Sequence, residues 1–247
     1  MISLFKKREE PAADFSGIAC DMHSHLIPGI DDGVPDMETS IRMIRGLVDL
    51  GYKKIITTPH IIGDIFPNTP EIIKAGQEQV VAEIARQGIP VEFHAAAEYL
   101  MDDRFTQMLE EDRPLLTLKD RLVLVELSFA VPSINLKELI FQMQLKGYQP
   151  ILAHPERYLY FGANKGWYDQ LKEFGCLLQL NLLSIDGYYG KGSRELAQYL
   201  IKKQYVDFLG TDLHHGRHLA GLSSPRIRKE AAKLLDAGLV KNASLLL

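Results

Sequence analysis

His23-Ser24-His25 sets two imidazoles one residue apart, and Asp212-Leu213-His214 repeats that alternation with a carboxylate in place of the first ring. Side chains of an extended chain alternate, so both members of each pair face the same way and can grip one ion. Groups of the same kind stand at Thr58-Pro59-His60, at Ala97-Glu98, at Val125-Glu126 and at His154-Pro155-Glu156-Arg157. Imidazole and carboxylate without thiolate suit Zn, Mn or Fe in nitrogen and oxygen coordination. Taken singly, each signal is weak. An isolated His-x-His is more often two surface or capping histidines than a ligand pair. His60 after Pro59 reads as a turn histidine, and Glu98 or Glu126 alone as a strand-end ion pair. The conjunction carries the argument, because buried carboxylates are costly unless a metal or hydrogen bonds compensate them.

The elements that must position these groups alternate. Short β-rich runs cover 17–21, 54–58, 91–98, 122–127, 149–153, 176–181 and 206–211. Amphipathic stretches lie between them. In 37–50, Ile41, Ile44, Leu47 and Val48 have helical spacing, and in 70–87 so do Ile73, Val80, Val81 and Ile84, with a stop at Gly88. Further helices are expected at 136–146, 166–174, 193–203 and 225–237. Strands alternating with helices imply a parallel sheet. The expected architecture is α/β, a distorted seven-stranded TIM-like barrel in a single domain, with a doubly wound open sheet as the alternative. Every expected strand ends on a polar or ionisable group, and active sites of parallel barrels lie at the C-terminal strand ends.

The chain has 247 residues, 46% of them hydrophobic and 24% charged, which fits one globular domain with a sizeable core. The expected organisation is a flexible, charged tail over 1–14 and a folded domain over 15–247. A net charge of -4 does not advertise a nucleic-acid partner. No run reaches the roughly 18 apolar residues of a membrane span. The two cysteines, Cys20 and Cys176, sit in apolar runs, read as reduced core residues, and fit a cytoplasmic location.

These motifs together resemble the polymerase-and-histidinol-phosphatase (PHP) superfamily. The runs His25-Leu26-Ile27-Pro28-Gly29-Ile30-Asp31-Asp32-Gly33 and His154-Pro155-Glu156-Arg157-Tyr158 resemble one branch more closely, the bacterial manganese-dependent protein-tyrosine phosphatases of capsular and extracellular polysaccharide operons. The resemblance runs from about Ile18 to Arg217. It implies the distorted seven-stranded barrel and two to three divalent ions, Mn foremost and Fe, Zn or Co as alternatives. By position, His23, His25, Glu98 and Asp212 would hold a first ion. Glu98, Glu126 and His154 would hold a second, and Asp32, His60 and His214 a third. Asp31 is the rival of Asp32 for that place. Arg157 and Arg217 would contact phosphate. The implied substrate is a phosphotyrosine protein, the C-terminal tyrosine cluster of a bacterial tyrosine kinase, and a homo-oligomer is compatible with the chain.

The resemblance also implies attack by a metal-activated water without a phosphoenzyme. The residues agree, since the Cys-x5-Arg loop of thiol phosphatases is missing: Leu26 stands six positions after Cys20, and Leu182 six after Cys176. Rival readings are another phosphoesterase of the superfamily, acting on histidinol phosphate or another small monoester, and a catalytically silent metal-bound module. An amidohydrolase-type carboxylated lysine has no counterpart at a strand end, because Lys53 and Lys54 lie at the entry to the second expected strand. Tyr188 and Tyr189 either pack their loop or shape a pocket, and packing is favoured.

Overall fold

The computed structural model describes residues 14–246. Apart from Asp14, the expected N-terminal tail lies outside them. The first β-run shortens to β1 (Cys20–Asp21), because Ala19 is in the left-handed region at φ 63° and starts the strand late. It leads to helix α1 (Met37–Asp49), capped by the Asp36 side chain, which accepts from Thr39 N at 2.7 Å. The second expected strand appears as β2 (Lys54–Thr57) and β3 (His60–Ile61), with Thr58 and Pro59 between them, where Pro59 has no N–H to give a ladder. The third splits likewise into β4 (Glu92–Ala95) and β5 (Glu98–Leu100). Pairing carries on through both breaks, since Ala96 N donates to Thr57 O at 2.9 Å and Glu98 N to Pro59 O at 3.1 Å.

The remaining strands are β6 (Leu122–Glu126), β7 (Gln149–Ala153), β8 (Leu177–Asn181) and β9 (Phe208–Gly210). They form two sheets with the orders β1-β2-β4 and β3-β5-β6-β7-β8-β9. Every pairing between these strands is parallel. Beyond the named strands, the chain after β1 runs beside the chain after β9. Ser24 bridges Leu213 in parallel, His25 N donates to Leu213 O at 3.0 Å, and Asp212 N to His23 O at 2.8 Å. That contact lays the His-Ser-His and Asp-Leu-His motifs side by side. The chain is thus a single mixed α/β domain with parallel sheets.

Strand alternation divides the core in two. One face buries Cys20, Met22, Ile56, Ala96, Leu124, Ile151, Ala153 and Phe208 against one another. The other face, with Val123, Val125, Leu152 and Leu178, packs under the helices. Of these, α2 (Pro70–Arg86), α4 (Leu136–Leu145), α5 (Gly166–Glu173), α7 (Lys191–Lys202) and α9 (Pro225–Asp236) fall where the periodicity expects them. On α2, Ile73, Val80 and Ile84 are buried, but Val81 turns outward and is 40% exposed. Three short helices were not expected: α3 (Asp103–Glu110), α6 (Leu182–Asp186) and α8 (Gly216–Gly221). Among the described residues no helix is long and apolar enough to cross a membrane.

Candidate metal centre

The polar strand ends meet in one place. Glu98 has the parity of Ala96 and Glu126 that of Leu124, so alternation aims both carboxylates toward the side of the inner apolar cluster. His154 follows Ala153 and would point the other way in a continued strand. Its φ of 34° breaks the alternation, and its Nε2 lies 2.9 Å from Glu98 Oε1. Asp212 is also left-handed, at φ 50°. Such backbone costs about 1–3 kcal/mol per residue and gathers at functional sites.

Around Glu98 the donors crowd. His23 Nε2 lies 3.1 Å from Glu98 Oε2 and 3.3 Å from Asp212 Oδ1, and His25 Nε2 lies 3.5 and 3.6 Å from the same two oxygens. His60 Nδ1 is 3.2 Å from Glu98 and 3.0 Å from Glu126. Asp32 Oδ1 is 3.5 Å from His60 Nε2 and 3.4 Å from His214 Nε2. Four overlapping sets could each hold one cation: His25 with Asp32, His60 and His214; His23 with His154 and Asp212; His23 with His25 and Glu98; His60 with Glu98 and Glu126. All nine expected ligands are in these sets. Their grouping differs from the expected one at three histidines: His25 also stands with Asp32, His60 and His214, His60 also stands with Glu98 and Glu126, and His154 stands with His23 and Asp212.

The surroundings aim the rings. Gln179 Nε2 donates to Asn181 Oδ1, so Gln179 Oε1 is left to accept from His23 Nδ1 at 2.8 Å. His25 Nδ1 donates to Asp31 Oδ2 at 2.8 Å, and His214 Nδ1 to the Asp212 carbonyl at 2.9 Å. Each of these rings therefore turns its Nε2 inward, the usual setting of a metal-ligating histidine. Gly210 makes room for this shell, since a Cβ there would sit 2.5 Å from Gln179 Nε2 and 2.9 Å from His23 Cβ. Asn181 Nδ2 donates to Asp212 Oδ2 at 2.7 Å, while Asn181 N donates to buried Glu156. Burial pushes the Glu156 carboxyl up to about 7.

Charge is tightly coupled in the cluster. Burial opposes protonation of His23, but Glu98 and Asp212 outweigh it and lift its pKa to about 9. Burial likewise disfavours the charged forms of Glu98 and Asp212, yet the histidines, His23 first, hold both well below the carboxylate range. His60 Nδ1 is buried, faces two carboxylates and makes no hydrogen bond. A cation among these atoms satisfies them all, so the residues present fit a divalent-metal site.

A cavity of about 270 Å³ opens onto the cluster, lined by Asp32, His60, Glu126, His154, Asp212 and His214 on its floor and by Phe129, Arg157 and Tyr189 on its walls. Arg157 Nη1 donates to Asp212 Oδ2 at 2.8 Å. Arg217 is not brought in. It is exposed on α8 and outside the cavity lining, whereas His218 of the same turn is buried and lines it. Successive helical residues diverge by about 100°, and only one of the two can face inward. Sequence reasoning missed Phe129 and His218, because a loop phenylalanine and a third histidine in a run carry no spacing signal. Gln179 and Asn181 were visible only as strand-end polar residues.

The matching family is described as "Capsular polysaccharide synthesis, CpsB/CapC", and it aligns with residues 19–238, nearly the whole chain. The chain belongs to this family. Tyrosine-protein phosphatase YwqE of Bacillus subtilis is 30% identical over 231 residues, covering 92% of this chain and 91% of its own length. A solved structure from the pair YwqE of Bacillus subtilis and CpsB of Streptococcus pneumoniae, called unique metal-dependent tyrosine phosphatases, matches with a TM-score of 0.76 at 27% identity, over 89% of this chain and 94% of its own. Histidinol phosphate phosphatase of Lactococcus lactis shares the fold at a TM-score of 0.53 and 15% identity, over 89% and 92%. The CpsB/CapC match spans every residue of the cluster, from His23 to His214.

Proposed function

We propose that this chain is a metal-dependent protein-tyrosine phosphatase that hydrolyses phosphotyrosine on a protein substrate. The observation that carries the reading is the buried His/Asp/Glu cluster under a cavity walled by Arg157 and two aromatic rings, in a chain similar to tyrosine phosphatases over nearly its whole length. We read His23, His25, Glu98 and Asp212 as ligands of one ion, Glu98, Glu126 and His154 of a second, and Asp32, His60 and His214 of a third, with Mn preferred over Fe, Zn or Co. When bound, such ions activate a water for in-line attack and draw charge from the phosphate oxygens. Arg157 presents a planar fork of donors to the same oxygens. Gln179, Asp31 and the Asp212 carbonyl hold three imidazoles with Nε2 inward. Phe129 and Tyr189 give the substrate ring apolar walls and exclude water from one side.

The two parallel sheets read as one distorted barrel: taking β2 with β3 and β4 with β5 as interrupted strands gives seven, and the Ser24–Leu213 bridge supports closure. The reading places the folded domain over 15–247, the enzyme in the cytoplasm, where its two buried free cysteines would stay reduced, and its substrate at the C-terminal tyrosine cluster of a bacterial tyrosine kinase. The test is phosphate release from a phosphotyrosine and a phosphoserine peptide, with added Mn²⁺ and then with EDTA. Mn-dependent release from phosphotyrosine, stopped by chelation, is expected. No release from either peptide by metal-loaded protein moves the activity to a small phosphate monoester or to a silent binding role.

A further inference from the structure

Arg157 is held by more than its hydrogen bond. Its guanidinium carbon lies 4.6 Å from the centre of the Phe129 ring and 4.3 Å from that of Tyr189. The two rings come from different loops, one after β6 and one between α6 and α7. Phe129 is anchored in turn: its ring stacks on His154 at 5.5 Å and lies 5.4 Å from that of buried Tyr158. Tyr189 Oη stands 3.5 Å from the Asp212 oxygen that Arg157 engages at 2.8 Å. That bond uses one of the five N–H donors of the guanidinium.

Phe129 is 49% exposed and lines the cavity with its ring against the Arg157 guanidinium. A free arginine loses rotamer freedom when it closes on an anion, and that loss weakens binding. A guanidinium already packed on aromatic faces has little left to lose. We propose that Phe129 and Tyr189 are positioning residues for Arg157, holding its guanidinium at the cavity so that phosphate meets a pre-set fork of donors. The proposal rests on Arg157 being a phosphate contact of the site described above. Neither ring needs to touch the phosphate; whatever they do for the substrate ring, toward the phosphate both act through the arginine.

The experiment is calorimetric titration of inorganic phosphate into the metal-loaded full chain, with variants compared at matched metal occupancy because Phe129 also stacks on His154. Phe129→Ala and Phe129→Leu are each expected to weaken phosphate binding roughly 3- to 10-fold, since leucine keeps apolar bulk but has no π face. Phe129→Tyr restores wild-type affinity. In an Arg157→Ala background, Phe129→Ala adds nothing further, because the ring has lost the group it positions. Full additivity of the two substitutions overturns the proposal, as does wild-type affinity in Phe129→Leu. Absence of phosphate binding by the wild-type protein also overturns it. Failure of the tyrosine phosphatase reading looks different: phosphotyrosine peptide is not cleaved, while the coupling between Phe129 and Arg157 is still read in the phosphate titration.

Discussion

The Nε2 atoms of His23 and His25 lie 3.4 Å apart, both in fully buried rings. Gln179 and Asp31 take the Nδ1 protons of these rings. Neutral imidazoles so arranged turn two lone pairs toward each other, beside the carboxylates of Glu98 and Asp212. Protons or a metal ion can relieve that arrangement, and the convergence of four donors on one point favours the ion.

Bound metal should therefore stabilise the fold as well as serve the reaction. An ion that binds only the native state, at a hundred times its Kd, adds about 2.7 kcal/mol. The melting temperature is expected to rise on adding Mn²⁺ to chelator-treated protein and to fall again with EDTA. His23→Ala should lose most of this metal-dependent rise and nearly all turnover, with the far-ultraviolet circular dichroism little changed. A melting curve indifferent to Mn²⁺ in the wild-type chain would argue that the histidine cluster is satisfied by protons alone.

Arg157 and Arg217 were both candidates for the phosphate, Arg217 the weaker of the two, and the structure separates them. Arg157 lines the cavity and reaches Asp212, while Arg217 is exposed and outside the lining. Losing one preorganised donor to a reacting oxyanion costs about 10²–10³ in rate. Arg157→Ala should lower kcat/KM on a phosphotyrosine peptide by that order, and Arg157→Lys should recover only part, because an ammonium lacks the planar fork. Arg217→Ala should stay within about twofold, as ordinary surface substitutions do. Steady-state kinetics of the three variants decide it, and an impaired Arg217→Ala with an intact Arg157→Ala would exchange their roles.

Much of this was legible from residue type and alternation. The apolar spacing of Ile41, Ile44 and Leu47 marked the buried face of α1, and the polar residues after each β-run marked the cluster. Where expectation and structure part, the cause is local. Pro59 interrupts a ladder that periodicity reads as one strand. α8 buries His218 rather than Arg217, and helix phase within a six-residue turn is not readable beforehand. His94 shares parity with Glu98, yet it is exposed, with Nδ1 3.4 Å from Gln77 Nε2 and no part in the cluster. Phe129 lies in an irregular loop, where neither alternation nor spacing constrains what a ring will touch.

The two thiols should be inert. Burial pushes the Cys176 thiol up to about 12 and raises Cys20 further. Both therefore stay protonated at neutral pH and cannot act as nucleophiles. The folded pKa lies above the ordinary value of 9.0, so the stability gained from burying the neutral thiol is complete below that value. It is lost as pH rises from there toward about 12. Iodoacetamide at pH 8 should leave folded protein unlabelled and fully active, and should label both cysteines once urea unfolds it. Rapid labelling of folded protein with matching loss of turnover would bring back a cysteinyl mechanism.

Asp31 and Asp32 are adjacent but differently committed. The Asp31 carboxylate accepts from His25 Nδ1 at 2.8 Å, Gly33 N at 3.0 Å and His60 N at 3.1 Å, so its lone pairs go to holding the loop and orienting one ring. Asp32 is 56% exposed and aims Oδ1 at His60 and His214, leaving it free to take a cation between them. Asp32→Ala should lower the number of ions bound per chain while the affinity of those that remain changes little. Asp31→Ala should keep the number and weaken affinity by about 10- to 100-fold, the usual cost of removing a ligand's hydrogen-bond partner. Elemental analysis gives the number and a metal titration gives the affinity. A lost ion in Asp31→Ala with full occupancy in Asp32→Ala would make Asp31 the ligand and Asp32 a rim residue.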